Sequence, residues 1–223
     1  MGQKQIEWKA ALFDLDGVVF DTEPQYTVFW GEICRQYHPE LPGLENRIKG
    51  QTLTQIFDAY FADSEQARQD VVKRLDQYEA CMSYGYIAGF VDFIRDLRLH
   101  GVATALVTSS NQPKMASVYR SHPELPDLFD AILTSEDFSE SKPSPDCYLK
   151  AAQQFGAEQN ECLVFEDSFN GLRSGQAAQM AVVGLTTSNP SESIRDLCDV
   201  AIGDFTTITF EDCLSVLARH HQL

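Results

Sequence analysis

The chain has 223 residues, of which 17 are basic and 33 acidic, and its formal net charge is -16. A hydrophobic content of 43% is enough to build one domain, or one domain with an insertion. The acidic excess repels phosphate backbones and anionic lipid surfaces, so we expect neither a nucleic acid nor a membrane as partner. An anionic substrate would need a bound cation or a well-placed Lys or Arg.

The six cysteines are scattered and form no Cys-x-x-Cys pair. This usage is typical of reduced, packed thiols. The first residues are polar, and they show neither a signal peptide nor a membrane span. We therefore expect a cytoplasmic protein that is a monomer or a small homo-oligomer.

Short apolar runs predict buried strands at residues 10–13, 102–107, 131–133, 162–165 and 181–185. Segments with helical periodicity lie between most of them. Strands that alternate with helices indicate βαβ units and a parallel sheet in an α/β fold.

The interval between the first two strands is too long for a simple crossover, because about 85 residues separate Asp16 from Val102. Helical patterns at residues 26–37, 53–61 and 64–82 fill it. We predict a small all-helical module over residues 22–86, inserted into a core that consists of residues 1–21 and 87–223.

Two carboxylates, Asp14 and Asp16, follow the first strand, and Gly17 comes directly after them. Residues i and i+2 of a strand face the same way, so both side chains project from its carboxyl end. Open α/β sheets hold their ligands at this edge. A solvated turn after a strand produces the same short pattern, so later motifs must decide.

The second strand runs into Thr108-Ser109-Ser110-Asn111, ahead of a predicted helix. Hydroxyl groups and backbone N–H groups at a helix N-terminus bind phosphate readily, although helix capping alone explains Ser and Asn as well. Lys142 follows the third strand and stands between rigid turn residues, in a position where most lysines are solvated.

The fourth strand is followed by Glu166 and Asp167. Adjacent carboxylates after a buried strand fit a Mg²⁺ site, because this ion prefers oxygen ligands. Capping of the next helix by Asp167 or Ser168 is the alternative. The combination of four polar strand ends is far more specific than any one of them.

This set of motifs, together with the insertion and the Asp21-Thr22-Glu23-Pro24 at its start, closely resembles the haloacid dehalogenase-like hydrolase superfamily. The closest pattern is that of members with a helical cap between the first and second motifs, such as sugar-phosphate phosphatases, phosphoglycolate phosphatases and β-phosphoglucomutases. The resemblance spans about residues 10–185. It implies a doubly wound, Rossmann-like parallel sheet, a cap that sets substrate specificity, a Mg²⁺ cofactor and an aspartyl-phosphate mechanism.

The resemblance also implies roles for individual residues. Asp14 would be the nucleophile, Asp16 the general acid and base, and Lys142 the bridge between Asp14 and the phosphoryl oxygens. Further contacts to the phosphoryl group would come from Thr108, Ser109, Ser110 and Asn111. Mg²⁺ would be held by Asp14, the Asp16 carbonyl and Asp167, with Glu166 as a ligand or directly behind the ligands. Tyr26, Lys49 and Gly50 would contact the substrate from the cap.

The chain departs from the mutase pattern at two positions. A His would be expected near Tyr26, and an Arg shortly after Lys49 and Gly50, where Leu53 stands. We therefore predict a Mg²⁺-dependent phosphatase of a small phosphorylated metabolite. Phosphoryl transfer of the β-phosphoglucomutase type is the alternative, and a non-catalytic module that binds a phosphorylated metabolite is a further one.

Overall fold

The computed structural model describes residues 8–49 and 51–221. Gly50, which was predicted to contact the substrate, lies outside the described residues. Within them, six strands form one sheet in the order β3-β2-β1-β4-β5-β6. All pairs are parallel. The strands are β1 (Ala10–Phe13), β2 (Ala103–Val107), β3 (Ala131–Leu133), β4 (Cys162–Glu166), β5 (Ala181–Leu185) and β6 (Val200–Ile202).

The direction of strand addition reverses at the centre of the sheet. The chain adds β2 and β3 on one side of β1 and then returns to add β4, β5 and β6 on the other. In open α/β sheets, ligands bind at the carboxyl ends of the strands beside such a reversal. The predicted doubly wound parallel sheet is confirmed.

Five helices of the described residues lie between β1 and β2, and the first four are α1 (Glu23–Tyr37), α2 (Leu44–Arg47), α3 (Leu53–Tyr60) and α4 (Glu65–Glu79). These four pack around an apolar cluster of their own that includes Phe29, Ile33 and Val71. We call α1–α4 the cap helices. Their separate cluster supports the predicted division at residues 22–86, which stays a prediction.

Helices cover both faces of the sheet, and they are α5 (Phe90–Leu99), α6 (Gln112–Ser121), α7 (Leu125–Leu128), α8 (Asp146–Gln154), α9 (Phe169–Ala177), α10 (Ser191–Ile194) and α11 (Phe210–His220). Phe13 of β1 points towards α5, α6 and α11 and stacks on Phe165, with 4.5 Å between the ring centroids. Leu12 points the other way, towards α8, α9 and α10. Burial on both faces explains why the strands read as continuous apolar runs.

Two expectations from composition concern thiols and membranes. All six cysteines are free, and Cys34, Cys147, Cys162 and Cys213 are buried, as expected for packed thiols. Among the helices of the described residues, none has the length and apolar character needed to cross a bilayer.

Candidate active site

The carboxyl edge of the sheet and the cap helices together enclose a cavity of about 490 Å³. Every predicted site residue that the structure describes lines it. The core contributes Asp14, Asp16, Thr108, Ser109, Ser110, Asn111, Lys142, Glu166 and Asp167, and the cap contributes Tyr26 and Lys49. Residues from well-separated parts of the sequence therefore meet at one site.

Lys142 is the cation at the base of this cavity, and its side chain is only 3% exposed. Its Nζ lies 2.7 Å from Asp14 Oδ1 and 2.7 Å from Glu166 Oε1, and it donates to the Val107 carbonyl at 3.1 Å. Burial by itself would lower the pKa of Lys142, but the carboxylates of Asp14 and Glu166 outweigh it and hold that pKa well above the usual value. The Lys142 side chain is therefore held in its charged form.

The carboxylates around Lys142 carry more negative charge than one ammonium can offset. Burial, reinforced by Glu166 and Asp16, raises the pKa of Asp14 to about 7, although Lys142 opposes the rise. Burial also raises the pKa of Asp167 well above its usual range, with further contributions from Glu23 and Glu166. These shifts show that Lys142 offsets only part of the buried negative charge at the site.

The donor atoms fit a hard divalent cation. Oxygen atoms of Asp14, Glu166 and Asp167 all lie within 4.8 Å of one another. Mg²⁺ is usually bound through one or two protein carboxylates and keeps several waters, so this set is sufficient. The residues present therefore fit the metal that the sequence predicts.

Glu166 is held by hydrogen bonds on both of its oxygens. Its Oε1 contacts Lys142 and accepts from the Tyr148 hydroxyl at 3.0 Å. Its Oε2 accepts from the backbone N–H groups of Asp167 at 3.0 Å and Ser168 at 3.2 Å. A Cβ on Gly171 would overlap the Glu166 carboxylate, so the glycine makes room for it. Glu166 thus connects Lys142 to the turn that carries Asp167, and its predicted contact with the metal stays a prediction.

Asp167 is positioned by a polar segment that the sequence analysis missed. The Ser188 hydroxyl donates to Asp167 Oδ2, and Asn189 Nδ2 donates to the Asp167 carbonyl at 3.0 Å. The Thr187 hydroxyl donates to the Gly17 carbonyl at 2.6 Å. A Cβ on Gly17, which has a φ of +71°, would overlap the Asp167 carboxylate. The segment directly follows β5, so the rule used for the other strand ends could have identified it.

Asp16 is surrounded by three side-chain donors. The Thr22 hydroxyl donates to Oδ1 at 2.6 Å, and the Ser110 hydroxyl donates to Oδ2 at 3.3 Å. Lys114 of α6, whose side chain is 5% exposed, forms an ion pair with Oδ2. Sequence reasoning missed Lys114. The only signal was its position three residues after Asn111, a spacing that places both residues on the same side of a helix.

The segment after β2 forms both a turn and a helix cap. The N–H of Ser110, predicted to hold a phosphoryl oxygen, donates to Thr108 Oγ1 at 3.0 Å. Asn111 Oδ1 accepts from the N–H of Lys114 at 3.0 Å and so caps α6. Helix capping, one of the two interpretations that the sequence left open, is therefore present. Thr108, Ser110 and Asn111 nevertheless line the cavity.

Tyr26 and Lys49, the described cap residues that were predicted to contact the substrate, each have an acidic partner. The Tyr26 hydroxyl donates to Glu79 Oε1 at 2.8 Å, and Lys49 Nζ lies 3.8 Å from Glu23 Oε2. Gln55 of α3 contacts the core, since its Nε2 donates to the Lys142 carbonyl at 3.0 Å. The cap helices thus touch the loop that carries the central lysine.

Comparisons with known proteins agree with this architecture. The model of the haloacid dehalogenase-like hydrolases matches residues 8–179. A bifunctional riboflavin kinase/FMN phosphatase from Arabidopsis thaliana is 26% identical over 90% of this chain, which spans only 56% of the length of that relative. Hexitol phosphatase B from Escherichia coli (strain K12) is 26% identical, over 92% of this chain and 96% of its own.

Solved structures share the fold. A HAD hydrolase of family IA, variant 3, from Entamoeba histolytica superposes with a TM-score of 0.81 at 22% identity, and covers 94% of this chain and 99% of its own. The predicted resemblance is confirmed by the family match over most of the chain. The chain belongs to the haloacid dehalogenase-like hydrolases.

Proposed function

We propose that the protein is a Mg²⁺-dependent phosphatase that hydrolyses a small phosphorylated metabolite through an aspartyl phosphate on Asp14. The observation that carries this proposal is the buried Lys142 in the cavity, 2.7 Å from Asp14, whose carboxylate lies within 4.8 Å of that of Asp167. The similarity to a bifunctional riboflavin kinase/FMN phosphatase and to a hexitol phosphatase supports the substrate class.

The Asp14 and Asp167 carboxylates would hold the metal, together with the Asp16 carbonyl, a ligand that the family resemblance implies. When bound, Mg²⁺ supplies positive charge next to the phosphoryl group, which a dianionic ester requires. Lys142 supplies a second positive charge at Asp14. Since both oxygens of Glu166 already accept hydrogen bonds, we assign Glu166 to the orientation of Lys142 and of the Asp167 backbone.

The reaction divides into two transfers. In the first, a carboxylate oxygen of Asp14 bonds to phosphorus while the bond to the leaving oxygen breaks, and Asp16 donates a proton to that oxygen. In the second, water attacks phosphorus, Asp16 takes the proton from this water, and Asp14 is released. Thr108 and Ser109, which line the cavity, would contact the phosphoryl oxygens during both steps.

The charged residues of the cavity wall favour hydrolysis over mutase chemistry. Apart from Lys142, the described residues of the cavity wall include two ammonium groups, Lys49 and Lys114, and each is paired with a carboxylate. Glu45 and Glu79 add further negative charge to the wall. The second phosphate of a bisphosphate intermediate would therefore find no unpaired cation among the described residues of the wall. Hydrolysis needs no such cation, because water is the acceptor of the phosphoryl group.

The test is phosphate release from a panel of sugar, polyol and aryl phosphates, with and without Mg²⁺. We expect metal-dependent release by the wild type, loss of it in Asp14→Asn, and no loss in Asp63→Asn, which changes an exposed Asp of the cap. Conversion of glucose 1-phosphate to glucose 6-phosphate is measured in parallel. Isomer conversion faster than phosphate release would favour the mutase. If neither reaction is detected, the proposal is refuted in favour of a non-catalytic module that binds a phosphorylated metabolite.

A further inference from the structure

A buried lysine outside the predicted machinery contacts Asp16. Lys114 has a side chain that is only 5% exposed, and its ammonium forms an ion pair with Asp16 Oδ2. A lysine is almost never fully buried unless it is paired, because removing its charge from water is costly. The placement of this lysine in α6 is therefore tied to Asp16.

The same ammonium also contacts the cap. Lys114 Nζ lies 4.7 Å from the centroid of the Tyr26 ring, within the range of a cation–π interaction. The Tyr26 hydroxyl in turn donates to Glu79 Oε1 at 2.8 Å. Tyr26 and Glu79 belong to cap helices α1 and α4, whereas Lys114 belongs to the core. We call the series Asp16, Lys114, Tyr26 and Glu79 the Lys114 bridge.

Lys114 differs in charge from the other donors on Asp16. Thr22 and Ser110 donate neutral hydroxyl groups at 2.6 Å and 3.3 Å. Within the described residues, Lys114 is the cation that pairs with this carboxylate. All three donors contact the same carboxylate, but Lys114 alone among them carries a positive charge, so its attraction to Asp16 is the strongest and contributes most to the orientation of this side chain.

Orientation matters because a general acid must lie within hydrogen-bond reach of the oxygen that it protonates. Resting on the proposed function, we propose that Lys114 is a positioning residue for Asp16, fixed in place by the Tyr26 ring. When the bond between phosphorus and the leaving oxygen breaks, Asp14 bonds to phosphorus and the proton of Asp16 moves to the leaving oxygen. The Asp16 carboxylate that results is paired with Lys114.

This role has a signature in the leaving group. The leaving group of an alkyl phosphate departs as a strongly basic alkoxide unless its oxygen is protonated. The leaving group of p-nitrophenyl phosphate is weakly basic and needs little assistance. We expect Lys114→Met to lower kcat/KM for the best alkyl phosphate of the panel at least about tenfold more than kcat/KM for p-nitrophenyl phosphate. Lys114→Arg, which keeps the charge, should recover part of the alkyl phosphate activity. Lys73→Met, at an exposed lysine of α4, should change neither value.

The same comparison in an Asp16→Asn background tests whether Lys114 acts through Asp16. There, Lys114→Met should cause no further change in the ratio of the two kcat/KM values, because the group that it positions has lost its proton-transfer function. Equal losses for both esters, no loss for either, or a full leaving-group effect in the Asp16→Asn background would each overturn the inference. The wild-type rates report separately on the proposed function, since a wild type that releases no phosphate from any ester refutes both.

Discussion

Replacement of Lys142 by methionine removes an ammonium group that contacts both Asp14 and Glu166. The substitution keeps the unbranched apolar stem and shortens it by one atom, and it leaves two buried carboxylates, each previously 2.7 Å from Nζ, without their cation. Breaking a buried ion pair from one side costs about 3–5 kcal/mol. For a domain of this size, that corresponds to a fall in Tm of about 10 °C. Loss of a donor that stabilises the transition state should lower kcat at least about 10²-fold.

Both quantities can be measured on one preparation, by thermal unfolding in metal-free buffer and by phosphate release with Mg²⁺. Lys150→Met is the matched control, because Lys150 forms an ion pair with Asp146 at 3.1 Å while its side chain is 34% exposed. Exposed pairs of this kind contribute about 0–1 kcal/mol, so Tm and kcat should change little. If Lys142→Met unfolds within about 2 °C of the wild type and retains about half of its kcat, the buried charge balance described here is wrong.

Three further predictions concern the supports of the site, the metal and the cap. Gly171→Ala places a Cβ against the Glu166 carboxylate, so we expect a lower Tm and at least about a tenfold loss of kcat, and an unchanged enzyme would contradict the packing. Without metal, burial raises the pKa of Asp14 from 3.8 to about 7, so its ionisation destabilises the fold as pH rises through that range. Because Mg²⁺ binds the ionised form, the rise in Tm that it causes should be larger at about pH 8 than at about pH 6, and a reversed order would contradict this. Tyr26→Phe and Lys49→Met should change the preference among sugar and polyol phosphates more than kcat/KM for p-nitrophenyl phosphate, and equal effects would mean that the cap does not set specificity.

The strands could be predicted because both faces of the sheet are buried. Residues 10–13 and 181–185 were predicted with the bounds that the structure shows, since their apolar runs are uninterrupted. The three-residue strand β6 was missed because its side chains are only partly buried at the edge of the sheet. The single-turn helix α2 was missed as well, because four residues are too few for a periodic pattern.

The site could be predicted as far as it follows from strand ends. Asp14, Asp16, Thr108 and Asp167 all come directly after strands, and the parallel sheet brings these ends together. The contacts that tune the site could not be predicted in this way. Lys114 and Asp16 are 98 residues apart, and their pairing depends on how α6 packs beside the carboxyl end of β1, which no local pattern encodes.

The central claim, transfer of a phosphoryl group to Asp14, can be tested by chemical trapping. The protein is mixed with Mg²⁺ and its best substrate, quenched with borohydride, which reduces an acyl phosphate to an alcohol, and digested for mass spectrometry. We predict reduction of Asp14 to homoserine in the wild type, and in Asp16→Asn with p-nitrophenyl phosphate as the substrate, and none without substrate. Phosphate release without any modification of Asp14, or modification of another carboxylate in its place, would contradict the mechanism.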